Sequence, residues 1–230
     1  MLLGSFARSA RRAQFPRRTT LGLSLQGARR VSTLPNNRDI YVFKHPLDAS
    51  KSLLTLLDTE PPTPQLALGT TTSLPPTTTT FTENPNFLDI LQSVLSDHAT
   101  HDPDVKQQAA VFASPGGFNL GGSGGRDGAG GANHQGGMGG ANRGGWVHVS
   151  DGRNPPDWGR IAWPEDIFGS VEVDGEGRFA GEDGNYQASG TYRIITREGI
   201  LNLSPFLRSK LVQRLREMEA STNTSSSNDI

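Results

Sequence analysis

Five side chains near the middle of the chain are of the types that do acid–base chemistry: His148, Asp151, Asp157, Glu165 and Asp166. A histidine beside a carboxylate can move a proton near neutral pH. The pattern does not require catalysis. Glu165 and Asp166 are adjacent and would point to opposite sides of an extended segment. Asp151-Gly152 and Asn154-Pro155-Pro156-Asp157 are turn-forming stretches, which account for both aspartates without chemistry. His148 with Asp151 or Glu165 is the arrangement that could serve a small hydrolase or a ligand-binding protein. No phosphate loop or dinucleotide fingerprint is present. There is no cysteine, so disulfides and thiolate metal sites are excluded. His98 and His101 stand beside capping aspartates and read as an exposed loop rather than a metal site. No cofactor or metal is expected, and binding is favoured over chemistry.

The same stretch holds all three tryptophans, Trp146, Trp158 and Trp163. Trp158 and Trp163 bracket Arg160, so a guanidinium can stack on an indole face. Tryptophan and arginine in a turn-rich loop are the residue types that dominate interface hot spots. The expected contact surface is Trp158, Arg160, Trp163, Glu165 and Asp166. His148, Asp151, Arg208 and Arg214 are secondary candidates. The competing reading has the three rings closing a small core.

These residues need elements to hold them. Trp146 to Ser150 alternates as a strand, and Ile167, Gly169, Val171 and Val173 share one strand face. Asp174-Gly175-Glu176-Gly177 is a hairpin turn. Gly190 to Thr196 reads as the last strand. Upstream, Ile40 to Phe43 is a strand, and Asp48 is expected to cap a short helix carrying Leu53, Leu54, Leu56 and Leu57. Gln65 to Thr70 reads as a second strand, and Ser73 to Thr80 as a solvated loop in which a threonine could be phosphorylated. Asn84-Pro85, Asp102-Pro103 and Ser204-Pro205 each place a capping residue before a proline at the first helical position. The last of these opens a helix whose Leu207, Leu211, Leu215 and Met218 form an apolar stripe. Its basic side chains give a further reading, RNA or mitoribosome association, supported by Arg193 and Arg197.

The ends and the centre differ in composition. Residues 1–38 carry eight arginines and no acid. Arg-rich, Ser-rich and acid-poor is the composition of a mitochondrial transit peptide. Such a cationic amphipathic segment is drawn to an anionic membrane surface. Arg30 before Val31, Ser32 and Thr33 resembles a matrix-processing site. Removal there leaves a net charge of −8, which opposes broad binding to phosphate backbones. Residues 116–145 contain 15 glycines, too many to order without a core, and read as a disordered insert. No run approaches the ~20 apolar residues of a membrane span; peripheral membrane contact stays open.

The expected architecture is α+β: a small, mainly antiparallel sheet packed by three to four helices. The expected organisation is a presequence over 1–38, a first half-domain over 39–113, a Gly-rich insert over 114–144, a second half of the same domain over 145–219, and a disordered tail over 220–230. The segment from Gly145 to Val173, with GTYRIITREGILNLSPFLRSKLVQRL downstream, resembles a group of uncharacterised fungal mitochondrial proteins. In these a Gly-rich insert precedes a Trp-Val-His-Val-Ser-Asp run and a Trp-Pro-Glu-Asp-Ile run. The resemblance spans Asp39 to Glu219 outside the glycine tract and implies no activity or cofactor. Together these observations lead us to expect a mitochondrial accessory or assembly protein, in the matrix, that acts by binding a protein partner.

Overall fold

The first strands lie side by side in chain order. β1 (Ser32–Leu34), β2 (Asn37–Lys44), β3 (Ser52–Thr55), β4 (Gly69–Thr71) and β5 (Phe81–Glu83) form a five-stranded antiparallel meander. The computed structural model describes residues 32–113, 144–157 and 160–227, with side chains of the last helix described to residue 222. Within the span 1–38 expected as a leader, Ser32–Leu34 and Asn37–Arg38 are strand.

The leucine-rich run 53–57 is not a helix. Asp48 closes a turn instead: its carboxylate accepts from Ser50 N–H at 3.0 Å, and His45 N–H donates to Lys51 O at 3.0 Å. That turn folds the chain back so that Leu53 and Leu54 pair with Phe43 and Val42. Leu56 and Leu57 follow into the core. In the stretch read as a strand from Gln65, Pro64–Leu66 forms a 3-10 turn, and only Gly69–Thr71 pairs.

The helices start where the cap-and-proline pairs predict. α1 (Pro85–His98) is capped by Asn84, whose side chain accepts from Asn86 N–H. α2 (Pro103–Ala113) begins after Asp102, which accepts from Asp104 N–H at 2.7 Å. β6 (Gly145–Ser150) and β7 (Ile167–Val173) then pair antiparallel, and β8 (Gln187–Ala188) completes a three-stranded sheet. β9 (Ile195–Thr196) and β10 (Gly199–Ile200) form a two-stranded hairpin. The strand expected from Gly190 is thus shortened. Arg193 N–H is taken by Glu165 O at 3.1 Å and Ile194 N–H by the Glu83 carboxylate at 2.7 Å.

α3 (Pro205–Ser227) closes the chain. Its Leu207, Leu211 and Leu215 are buried, and the helix packs on α1. It runs through Ala220–Ser227, which sequence composition alone assigns to a disordered tail. Ser204 caps α3 through Leu207 N–H, and its hydroxyl also reaches the Asp102 carboxylate. One aspartate therefore ties the starts of α2 and α3.

The architecture is α+β, with mainly antiparallel sheets and three helices. One core cluster joins Leu54, Phe87, Leu91 and Leu95 to Val149, Phe168, Ile194 and Leu211, all essentially inaccessible. Truncating one of these large side chains to alanine costs about 2–5 kcal/mol. The chain on either side of the glycine-rich stretch meets at its ends, where a side chain at Gly145 would come within 2.5 Å of the Phe112 ring. The structure of residues 114–143 lies outside the described residues.

Candidate functional site

β6 and β7 are joined by a loop, residues 151–166, that folds back over one face of its own hairpin. The opposite face carries Val147, Val149, Val171 and Val173 into the core. The outer face carries His148 and Ser170, directly opposite each other in the register. Gly169 of β7 has no room for a side chain, since the Tyr186 hydroxyl and Gln187 O would each sit 2.5 Å from a Cβ there.

The loop is fixed at its base by Arg153, whose side chain is only 2% exposed. A guanidinium has five N–H donors, and all five are used. Nε donates to Asp166 at 2.6 Å; Nη1 to Ile194 O and Gly199 O at 3.0 and 3.4 Å; Nη2 to Glu165 O and Arg193 O at 2.9 and 2.7 Å. The guanidinium carbon also lies 5.3 Å from the Tyr192 ring centroid, within cation–π range. Asp151 completes the cluster. It accepts from Arg153 N–H at 2.9 Å, Asn202 N–H at 3.0 Å and the Tyr192 hydroxyl at 2.9 Å. Burial pushes the Asp151 carboxyl above its usual range, while Arg153 and these donors pull it down. Burial likewise pushes the Tyr192 phenol up, helped by the neighbouring Asp151 charge.

Sequence reasoning missed Arg153. Three of its partners are main-chain carbonyls 40 to 46 residues downstream, which no local spacing reveals. The Asp-x-Arg run at a turn was the only local signal.

Between the loop and the outer face lies a cleft of about 930 Å³. His148 and Ser170 form its floor, with the imidazole Nδ1 2.8 Å from the Ser170 hydroxyl. Which atom carries the proton depends on the tautomer. Burial lowers the affinity of His148 for a proton. A neutral imidazole carries one donor and one acceptor nitrogen, and Ser170 engages Nδ1. Pro155, Ile161 and Trp163 supply apolar wall, and Arg160 and Asp157 stand at the rim.

Among the described residues no strand pairs with the outer edge of β6. Even-numbered residues of β7 direct their backbone away from β6: Glu172 N–H donates to Gly184 O at 2.7 Å, and its carbonyl accepts from Ala180 N–H at 3.0 Å. The odd-numbered residues of β7 consequently serve Val147 and Val149. Trp146 and His148 then turn their N–H and C=O groups outward. Among the described residues nothing pairs with them.

The expected contact residues meet different fates. Trp163 is 66% exposed, and Arg160 is exposed beside it. Glu165 has an exposed side chain. Asp166 is a correction: at 1% exposure it is the buried partner of Arg153 and offers nothing to a partner protein. Asp151 is buried as well. Trp158 lies outside the described residues, and Trp146 is half-buried on β6. The pairing of His148 with Asp151 or Glu165 is also absent: among the described residues no carboxylate lies within ion-pair distance of His148, and Asp151 belongs to the Arg153 cluster. Arg208 pairs with Asp39, and Arg214 lies 3.9 Å from Glu217, so both candidate arginines of α3 have a carboxylate beside them. The described residues hold no group of three potential metal ligands and no helix long and apolar enough to cross a membrane.

No family model, curated protein or solved structure matches the chain.

Proposed function

We propose that this chain is an accessory protein that acts by binding another protein, using the β6–β7 hairpin and its overlying loop. The observation that carries this reading is Trp163, 66% exposed at the lip of the cleft on a loop whose base is fixed by Arg153. An indole held in place loses little freedom on binding, which is why such residues become hot spots. The outer edge of β6 suits an extended segment, since main-chain hydrogen bonds from Trp146 and His148 can receive an added strand. The cleft floor is uncharged, so the segment that fits is largely uncharged too.

Mitochondrial targeting is part of the proposal. It rests on the arginine-rich, acid-free composition of residues 1–30. Import of the full chain into isolated mitochondria, followed by N-terminal sequencing, should yield a product beginning at Val31 or Ser32. A product that keeps its first thirty residues defeats this part.

The binding reading is tested by cross-linking and pull-down, comparing wild type with a Trp163→Ala/Arg160→Ala variant. Loss of specific partners is expected. An unchanged partner set, from a variant with wild-type circular dichroism, removes this surface from consideration.

A second reading, ligand binding or hydrolysis in the same cleft, draws on the His148–Ser170 contact. A neutral imidazole 2.8 Å from a hydroxyl can take its proton. The described residues give that imidazole no orienting carboxylate. Labelling of wild type but not Ser170→Ala by a fluorophosphonate probe would favour it.

A further inference from the structure

The structure describes nine arginines. Seven have a carboxylate within 4.0 Å: Arg153, Arg160, Arg178, Arg193, Arg208, Arg214 and Arg216. The other two, Arg38 and Arg197, have no such partner among the described residues, and both line one cleft of about 720 Å³. It is bounded by the β1–β2 turn, the loop Pro75–Thr78 and the β9–β10 hairpin, together with Asn202 and Arg153, whose donors are already taken.

Hydroxyls face the same space. Thr77 bonds Thr79 at 3.1 Å and Thr80 at 3.0 Å, so those three satisfy one another. Thr78, which lines the cleft, has no hydrogen-bond partner among the described residues. One carboxylate, Glu198, also lines the cleft, and no ion pair joins it to either arginine.

Among the described arginines these two guanidiniums are the exceptions to carboxylate pairing. The planar fork of a guanidinium matches two oxygens of a phosphate. Two forks with a hydroxyl nearby suit a tetrahedral oxyanion better than a planar carboxylate. We propose that this cleft is a phosphate-binding site held by Arg38 and Arg197. The phosphate has two possible sources: a phosphoryl group on Thr78 itself, or one on a free ligand. The first source would dock the Thr-rich loop onto both arginines.

The experiment uses the full chain, with inorganic phosphate as probe, by calorimetry and amide NMR at low ionic strength. Saturable binding is expected. Arg38→Gln and Arg197→Gln should each weaken it about tenfold, as for a lost charge-assisted hydrogen bond. Glu198→Gln, which removes a repelling charge, should tighten it. A chain carrying phosphothreonine at 78 separates the sources. Loss of phosphate binding together with a raised melting temperature supports the intramolecular source; undiminished binding supports the free ligand. Binding that is equal in all variants overturns the site. So does failure of both arms: no saturable binding by the unmodified chain and no change in melting temperature on phosphorylation.

Discussion

The two arginines of the loop over residues 151–166 pair with aspartates in opposite surroundings. At its base Arg153 and Asp166 sit 2.6 Å apart, each side chain 2% exposed. At its lip Arg160 and Asp157 are 3.9 Å apart, 77% and 85% exposed. An exposed pair gains little, because water screens it and long side chains resist ordering. A buried pair carries a heavy desolvation cost and survives only with every remaining donor and acceptor satisfied. Arg153 meets that condition through four main-chain carbonyls that come from outside its own turn or from the loop's far end. The lesson concerns division of labour: the base spends its charges on position, and the lip keeps its charges available.

The most damaging way to break this contrast is Arg153→Ala. It strands Asp166 and Asp151 without their cation, and urea denaturation should register a loss of about 3–5 kcal/mol. Arg160→Ala, measured alongside, should change stability by no more than about 0.5 kcal/mol. Equal losses for the two arginines would dissolve the distinction. A finer probe is Tyr192→Phe. It deletes one hydroxyl, leaves the ring under the guanidinium, and takes a donor from a buried carboxylate, so a loss of about 1–3 kcal/mol is expected.

The smallest effect concerns protons. Burial holds His148 below its usual 6.5. The unfolded chain therefore binds a proton that the folded chain resists. The associated stability is complete above about pH 6.5 and is lost as pH falls through the lowered folded value. Unfolding curves of wild type and His148→Gln should thus converge on acidification. Parallel curves between pH 7.5 and 5 would mean that His148 titrates normally in the fold.

The same contrast explains what could be read from the residues. Helix starts were legible because a cap and a proline act within three positions: Asn84-Pro85, Asp102-Pro103 and Ser204-Pro205 each begin a helix. The strands Trp146–Ser150 and Ile167–Val173 were legible from alternation alone, but their pairing with each other was not. Leu53–Leu57 was not, since an unbroken apolar run suits a buried strand and a buried helix equally. The Asp48 turn and pairing with β2 decided it. The shortened strand after Gly190 was illegible for a related reason: the backbone of Arg193 and Ile194 is claimed by Glu165 and Glu83, far away in sequence. Of the contact residues, an exposed Trp163 was predictable in type but not in placement. Asp166 and Arg153 could be sorted from Asp157 and Arg160 only once Tyr192 and its neighbouring carbonyls were in position.

Phe112 resting against Gly145 bears on how this polypeptide can vary in length. The described chain stops at Ala113 and resumes at Gly144, and these two ends lie close together. For a flexible connection between two neighbouring points, closure entropy changes by only about 0.6 kcal/mol per doubling of length. Insertions, deletions or a grafted reporter between residues 114 and 143 should therefore pass almost unnoticed by the rest of the molecule, which makes this the place where the sequence is freest to drift.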